Sequence, residues 1–374
     1  MPLRYLFLLS TVCLSTAAKI QLPKPSGQYS LQVTPTKLVD DSRTDPFSPD
    51  NSKRALMVSS FAPMTCDSTE YVQYMPPTVA LANDVQFASV GIQNGTFESF
   101  QIESCSKPHP ARQNFPLMIF SPGLGVSRLL YQATLQDIAS HGYVVVSVDH
   151  PYDANVVEFP DGKVIKGDPE KIANNPDLLN QAFDTRVADL GFVLKELQKT
   201  DQQVVPRSLS GKVNFEHISG AGHSLGGAAI AQAMYNNPQF ASGINLDGIM
   251  FGSVVSKGFN RPFVEFSSTT SSQQRDDTWS EFMSSLTGWK RELLLKDSQH
   301  DTFTDLPLLF DNVPNAEEVR SKAQTLIGSL AGERVRAIVS AYVGATIELC
   351  TSRKPQSLLI GPSDEYPEVE YVVY

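Results

Sequence analysis

Apolar positions along this 374-residue chain change rhythm from one end to the other. From Lys19 to Lys53 prolines and aspartates interrupt each short apolar run, which predicts an extended lead-in with little core of its own. "RALMVSSF", from Arg54, is the first run with strand character, and "VQFASV" at 85–90 is a second candidate. From residue 116 the pattern becomes regular. "PLMIFS" (116–121), "YVVVSVD" (143–149), "FEHISGAG" (215–222), "SGINLDG" (242–248), "RPFVEFSS" (261–268) and "RELLLKDSQH" (291–300) read as strands, the last ending the series. Among them stand three helical segments: "SRLLYQATLQDIASHG" (127–142), the long amphipathic stretch at 178–200 and the small-residue run "LGGAAIAQAMYN" (225–236). "NVVEFPDGKVI" predicts a hairpin, two more helices are expected near 315–328 and 331–348, and a tail follows to Tyr374. Continuous apolar strands alternating with helices are the mark of a mostly parallel sheet covered on both faces. The fold class is therefore α/β, with a single domain over 54–374.

Composition narrows the class. A chain with 41% hydrophobic and 19% charged residues has the balance of a globular protein. A net charge of −10 leaves no basic stripe for nucleic acid and gives no reason to expect strong attraction to anionic membranes. At the N-terminus Arg4, an apolar run from Leu6 to Leu14 and the small residues "STAA" have the form of a secretory signal peptide over 1–18. That run is too short to span a bilayer, and no later segment holds 18 uninterrupted apolar residues, so no transmembrane segment is expected. A secreted, extracellular protein would lose Cys13 with its leader and could pair two of Cys66, Cys105 and Cys350. The shared N-terminal region favours Cys66 with Cys105, leaving Cys350 free. "NGT" at Asn94 is a glycosylation sequon in a turn-like setting.

The chemistry gathers around "GHSLG", residues 222–226. It follows a strand and opens a helix, as a nucleophile elbow requires. Gly222 and Gly226 supply the small neighbours that a sharp turn at Ser224 demands. A dinucleotide site would need a third glycine where Leu225 stands, and no Walker lysine follows. Serine needs a base and the base an orienting acid, in the chain order Ser, acid, His for this elbow. Of six histidines only His300 follows Ser224. Asp247, ending "GINLD", is the acid candidate; Asp297, Asp301 and Asp305 lie closer to His300 along the chain, and Asp149 and Asp153 precede the serine. The oxyanion donors would be the backbone N–H groups of Leu225 and, from the loop "SPGLGVSR", of Leu124.

These segments together resemble the platelet-activating-factor acetylhydrolases of the secreted plasma type (the group VII phospholipase A2 kind) and their fungal relatives. "FPLMIFSPGLGVSRLLYQATLQDIASHGYVVVSVDH", "TRVADLGFVLKEL", "GHSLGG", "NLDG" and "QHDTFTD" look like the family's strands, long helix, elbow, acid and histidine loops. The tail "PSDEYPEVE" is similar to fungal endings. The resemblance covers about 300 residues from 54 onward and implies an α/β-hydrolase fold, no metal and no other cofactor. It also implies a small lipid ester as substrate, a short or oxidised sn-2 acyl chain on a glycerophospholipid, with Ser224 as nucleophile, Asp247 as acid and His300 as base. Leu225 stands where the animal enzymes typically place Phe. Two other readings share these residues: a broad extracellular carboxylesterase of cutinase type, and a lipid-binding scaffold without catalysis.

Overall fold

The computed structural model describes residues 18–109, 113–199, 201, 204–209, 211–269, 277–352 and 356–372. The expected leader lies outside them, Ala18 apart. The central sheet has ten strands among the described residues. Nine lie in one continuous order and are labelled along the chain: β1 (Ser30–Thr44), β2 (Lys53–Cys66), β3 (Phe115–Ser121), β4 (Val144–Asp149), β5 (Val213–His223), β6 (Phe240–Leu246), β7 (Phe263–Ser268), β8 (Lys290–Leu295) and β9 (Val369–Tyr371). The tenth is a two-residue strand, Pro108–His109, paired with the end of β2. The order of the nine across the sheet is β1-β2-β4-β3-β5-β6-β7-β8-β9. From β4 to β8 every pairing is parallel; β1, β2 and β9 join antiparallel.

The apolar runs explain this arrangement. In β4, Val144, Val146 and Val148 face one hydrophobic cluster and Val145 faces the other; in β3, Leu117 and Ile119 oppose Met118 and Phe120. Strands apolar on both sides need cover on both sides. The helices Pro176–Leu197 and Leu225–Asn236 pack on one face, and Gln132–Ser140 and Gly332–Ser352 on the other. The long helix begins two residues earlier than its apolar spacing predicts. Asn175 caps it by accepting from the N–H groups of Asp177 (3.0 Å) and Leu178 (3.2 Å), and Pro176 supplies the preset first turn. A mostly parallel sheet with helices on both faces makes this an α/β fold, as the apolar pattern predicts.

Three elements differ from the sequence reading. "VQFASV" is no strand: Pro77 opens the helix Pro77–Gln86, followed by a 3₁₀ turn Ala88–Val90. Its buried residues Val79, Ala80, Asn83 and Asp84 follow a helical spacing that two polar members hide from an apolar pattern. The 19–53 lead-in is not separate from the domain, since β1 pairs with β2 from Ser30↔Met64 to Asp40↔Arg54. As the outermost strand β1 buries little on one side, so its alternation is faint. "RELLLKDSQH" is not the last strand either, because the tail returns as β9 beside β8. The hairpin is present, Val156–Glu158 against Val164–Lys166. Cys66 and Cys105 form a disulfide, and Cys350 is a buried thiol. Asn94 is exposed in a turn. Among the described residues no helix is long and apolar enough to cross a membrane.

Candidate active site

Strand order reverses at β3, whose parallel neighbours are β4 and β5, and ligands of open α/β sheets bind at the carboxyl ends of strands around such a point. Ser224 follows β5, Asp247 follows β6, and His300 stands five residues beyond β8. All three therefore leave the sheet at the same edge.

Ser224 adopts φ 55°, ψ −131°, outside the regions open to most L-residues, and the helix begins at Leu225. Its N–H donates to the Leu246 carbonyl (2.9 Å), which ties the elbow to the strand end that presents the acid. The flanking glycines are required by close approach. A Cβ on Gly226 would lie 2.1 Å from the Ser121 carbonyl oxygen, and one on Gly222 would lie 2.4 Å from the Gly226 carbonyl carbon. The loop after β3 lies in contact with the elbow: a Cβ on Gly123 would stand 3.1 Å from His223 Nδ1 and 3.4 Å from the Ser224 Cβ.

His300 opens a short turn, His300–Phe303, and its Nδ1–H donates to Asp247 Oδ2 at 2.6 Å. Asp247 is buried, and its second oxygen accepts the Ser268 N–H at 2.6 Å. That anchor leaves one carboxylate oxygen aimed at the imidazole. Partial desolvation of the half-exposed ring disfavours its charged form, but the Asp247 hydrogen bond and charge outweigh this and raise the His300 pKa above its ordinary value. With Nδ1 engaged, Nε2 keeps its lone pair.

The rival carboxylates are occupied otherwise. Asp305 accepts from the N–H groups of Ala133 (2.6 Å) and Thr134 (3.0 Å), from the Thr134 hydroxyl and from Tyr74. Asp149 pairs with Arg128, and Asp153 with Arg186. Asp297 is exposed at a left-handed turn. Asp301 lines the cleft with Val79, Phe87, Val126 and Leu130, and burial raises its carboxyl pKa. Asn155 and Val156, at the start of the hairpin, also line this cleft, whose lining includes neither Ser224 nor His300.

Residues 69–317 match the sequence model of the family described as "Platelet-activating factor acetylhydrolase, isoform II". The chain belongs to this family. It is 32% identical to the probable 1-alkyl-2-acetylglycerophosphocholine esterase of Arthroderma benhamiae, over 97% of this chain and 96% of that one. It is 28% identical to the platelet-activating factor acetylhydrolase of Bos taurus, over 37% of this chain and 36% of that one. Among solved structures it is similar to the ferulic acid esterase of Streptomyces cinnamoneus, with a TM-score of 0.80, 30% identity, and coverage of 95% of this chain and all of that one. Like its acetylhydrolase relatives, the chain is an ester hydrolase.

In this acetylhydrolase-family chain three residues around the site escaped the sequence reading: Arg186, Tyr131 and His223. Arg186 is buried against the loop 121–123, and the Tyr131 hydroxyl joins the same loop to His223. One signal was legible. Arg186 falls on the buried stripe of its helix, with Ala182, Phe183, Leu190 and Val193, where a lone charge must have a partner.

Proposed function

We propose that the protein hydrolyses the short or oxidised sn-2 acyl ester of glycerophospholipids through a Ser224–His300–Asp247 triad. The observation that carries this is the 2.6 Å bond from His300 Nδ1–H to a buried Asp247, at the same sheet edge as a serine on a strained elbow. The Ser224 oxygen attacks the ester carbonyl while its proton passes to His300 Nε2. The oxyanion is received by the N–H groups of Leu225 and Leu124. His300 then protonates the departing alcohol, the lysolipid, leaving an acyl-serine. Water attacks this ester in the same way, His300 takes its proton and returns it to Ser224, and the free acid leaves.

Support for the phospholipid comes from the family and from the fungal relative's substrate. Ser224→Ala is expected to lower kcat on p-nitrophenyl acetate by at least about 10³-fold, and His300→Ala by a similar factor. Wild-type rates in either variant would remove that residue's role. The likeness to a ferulic acid esterase favours a second reading, a broad carboxylesterase. An acyl-length series on 1-alkyl-2-acyl-glycerophosphocholines, run beside aryl and polyester substrates, separates the two; preference for a phospholipid acetyl supports the first. We further infer secretion, with cleavage after Ala17 or Ala18 and a glycan on Asn94. N-terminal sequencing of protein from the medium, and loss of the glycosidase-sensitive mass in Asn94→Gln, test those points.

A further inference from the structure

Two consecutive peptide units of the loop after β3 are held by one guanidinium. Arg186 donates to the Pro122 carbonyl at 2.5 Å and to the Gly123 carbonyl at 3.0 Å. Its remaining side faces Asp153, with Nε at 2.5 Å from Oδ2. Both peptides are trans, so in each the N–H points opposite to the carbonyl. The first of these N–H groups, on Gly123, donates to the Tyr131 hydroxyl at 3.1 Å. The second, on Leu124, donates to no group among the described residues. With the Gly123 carbonyl fixed on Arg186, the Leu124 N–H points away from the guanidinium, and the loop at Gly123 lies beside Ser224, where an added Cβ would stand 3.4 Å from the serine Cβ.

The Tyr131 hydroxyl also fixes the opposite loop. Having accepted from Gly123, it donates its proton to His223 Nδ1 at 2.8 Å. His223 Nε2 then carries the ring hydrogen and donates to the His300 carbonyl at 3.0 Å. Burial holds His223 far below its ordinary pKa, so it stays neutral, as this pattern requires.

We propose that Arg186, anchored by Asp153, is the positioning residue that presents the Leu124 N–H to the oxyanion, and that Tyr131 and His223 couple this loop to the base. This rests on the Ser224 reading of the site. Neither side chain touches substrate; each acts through main-chain groups whose orientation decides transition-state binding. The expected effect is therefore on kcat, with substrate affinity preserved.

Arg186→Met, Arg186→Lys and Tyr131→Phe are compared with Ser224→Ala on p-nitrophenyl acetate, with thermal midpoints recorded for each. A missing oxyanion donor costs about 10²–10³ in kcat, so Arg186→Met is expected to lose about 10²-fold with KM within about twofold of wild type. Arg186→Lys, which keeps one donor, is expected to fall between. Affinity for an aryl trifluoromethyl ketone, a mimic of the tetrahedral adduct, should fall in step with kcat. Tyr131→Phe removes one hydroxyl and is expected to lower kcat about tenfold. Should Arg186→Met fail to fold, Tyr131→Phe decides alone. A folded Arg186→Met with wild-type kcat and ketone affinity, a loss carried by KM only, or an unchanged Tyr131→Phe would overturn the proposal. If Ser224→Ala keeps its activity, the site reading fails as a whole; if Ser224→Ala is dead while these variants are not, only the positioning roles fail.

Discussion

Ser224 carries backbone strain in a place where its neighbours allow no relief. A non-glycine residue at φ 55°, ψ −131° costs on the order of 1–3 kcal/mol, and the surrounding strand ends and glycine contacts must hold it there. Ser224→Gly is thus expected to abolish hydrolysis while leaving the thermal midpoint at or above the wild-type value. His300 makes a second residue-level prediction. Its pKa in the folded protein is raised above the ordinary histidine value, and as the proposed base it must be neutral to act, so kcat/KM should rise with pH through a midpoint above that ordinary value. The sign for stability is opposite. The imidazolium–Asp247 contribution is fully present below the unfolded pKa and lost as pH rises through the raised folded value. Asp247→Asn should move the ascending limb to lower pH and remove that loss from denaturation curves. Ser224, His300 and Asp247 could be named as candidates because chain order and a single downstream histidine point to them, and of these the structure pairs His300 with Asp247. The roles of Arg186 and Tyr131 were not legible, since neither residue names its partners: Arg186 reaches loop carbonyls 64 and 63 residues away, and Tyr131 bridges the Gly123 N–H, 8 residues away, to His223, 92 residues away.

At the scale of elements, what was legible followed from burial on two sides. β3 through β8 read clearly, because continuous apolar runs leave little choice of role. β1 and β9 did not, since edge strands bury one side only, and β9 has three residues. The helix Pro77–Gln86 hid because Asn83 and Asp84 occupy its inner face. Elements are also joined by charges that an apolar pattern cannot show. Arg54 in β2 is buried against Asp189 of the long helix, at 2.7 and 3.2 Å, and against Asp45 at 2.8 Å. Breaking a buried pair on one side leaves an uncompensated charge, so Asp189→Ala should cost about 3–5 kcal/mol in urea unfolding. Asp189 also accepts from Arg43 and His150, and Arg54 also holds Asp45, so Arg54→Met with Asp189→Leu should recover only part of that loss.

Across the whole molecule, the disulfide joins the end of β2 to the strand Phe100–Cys105, closing a loop of 39 residues in sequence separation. A cross-link of this span stabilises by about 4 kcal/mol in the chain-entropy model, so Cys66→Ser is expected to lower the denaturant midpoint without altering the order of substrate preference. The two ends of the chain supply the two margins of the sheet, β1 on one side and β9 on the other. β1 is fifteen residues long and has no strand on its outer side among the described residues. Near its start the Val33 N–H is taken by the Ser104 hydroxyl, and the open edge beyond it is a template on which a second copy could extend the sheet into a fibre. Pro35, Lys37 and Asp41 interrupt it with a missing donor and two charges. The colloidal lifetime of the concentrated protein therefore depends on three side chains far from any ester, and replacing them with valine should turn a clear solution into one that nucleates amyloid-like aggregates.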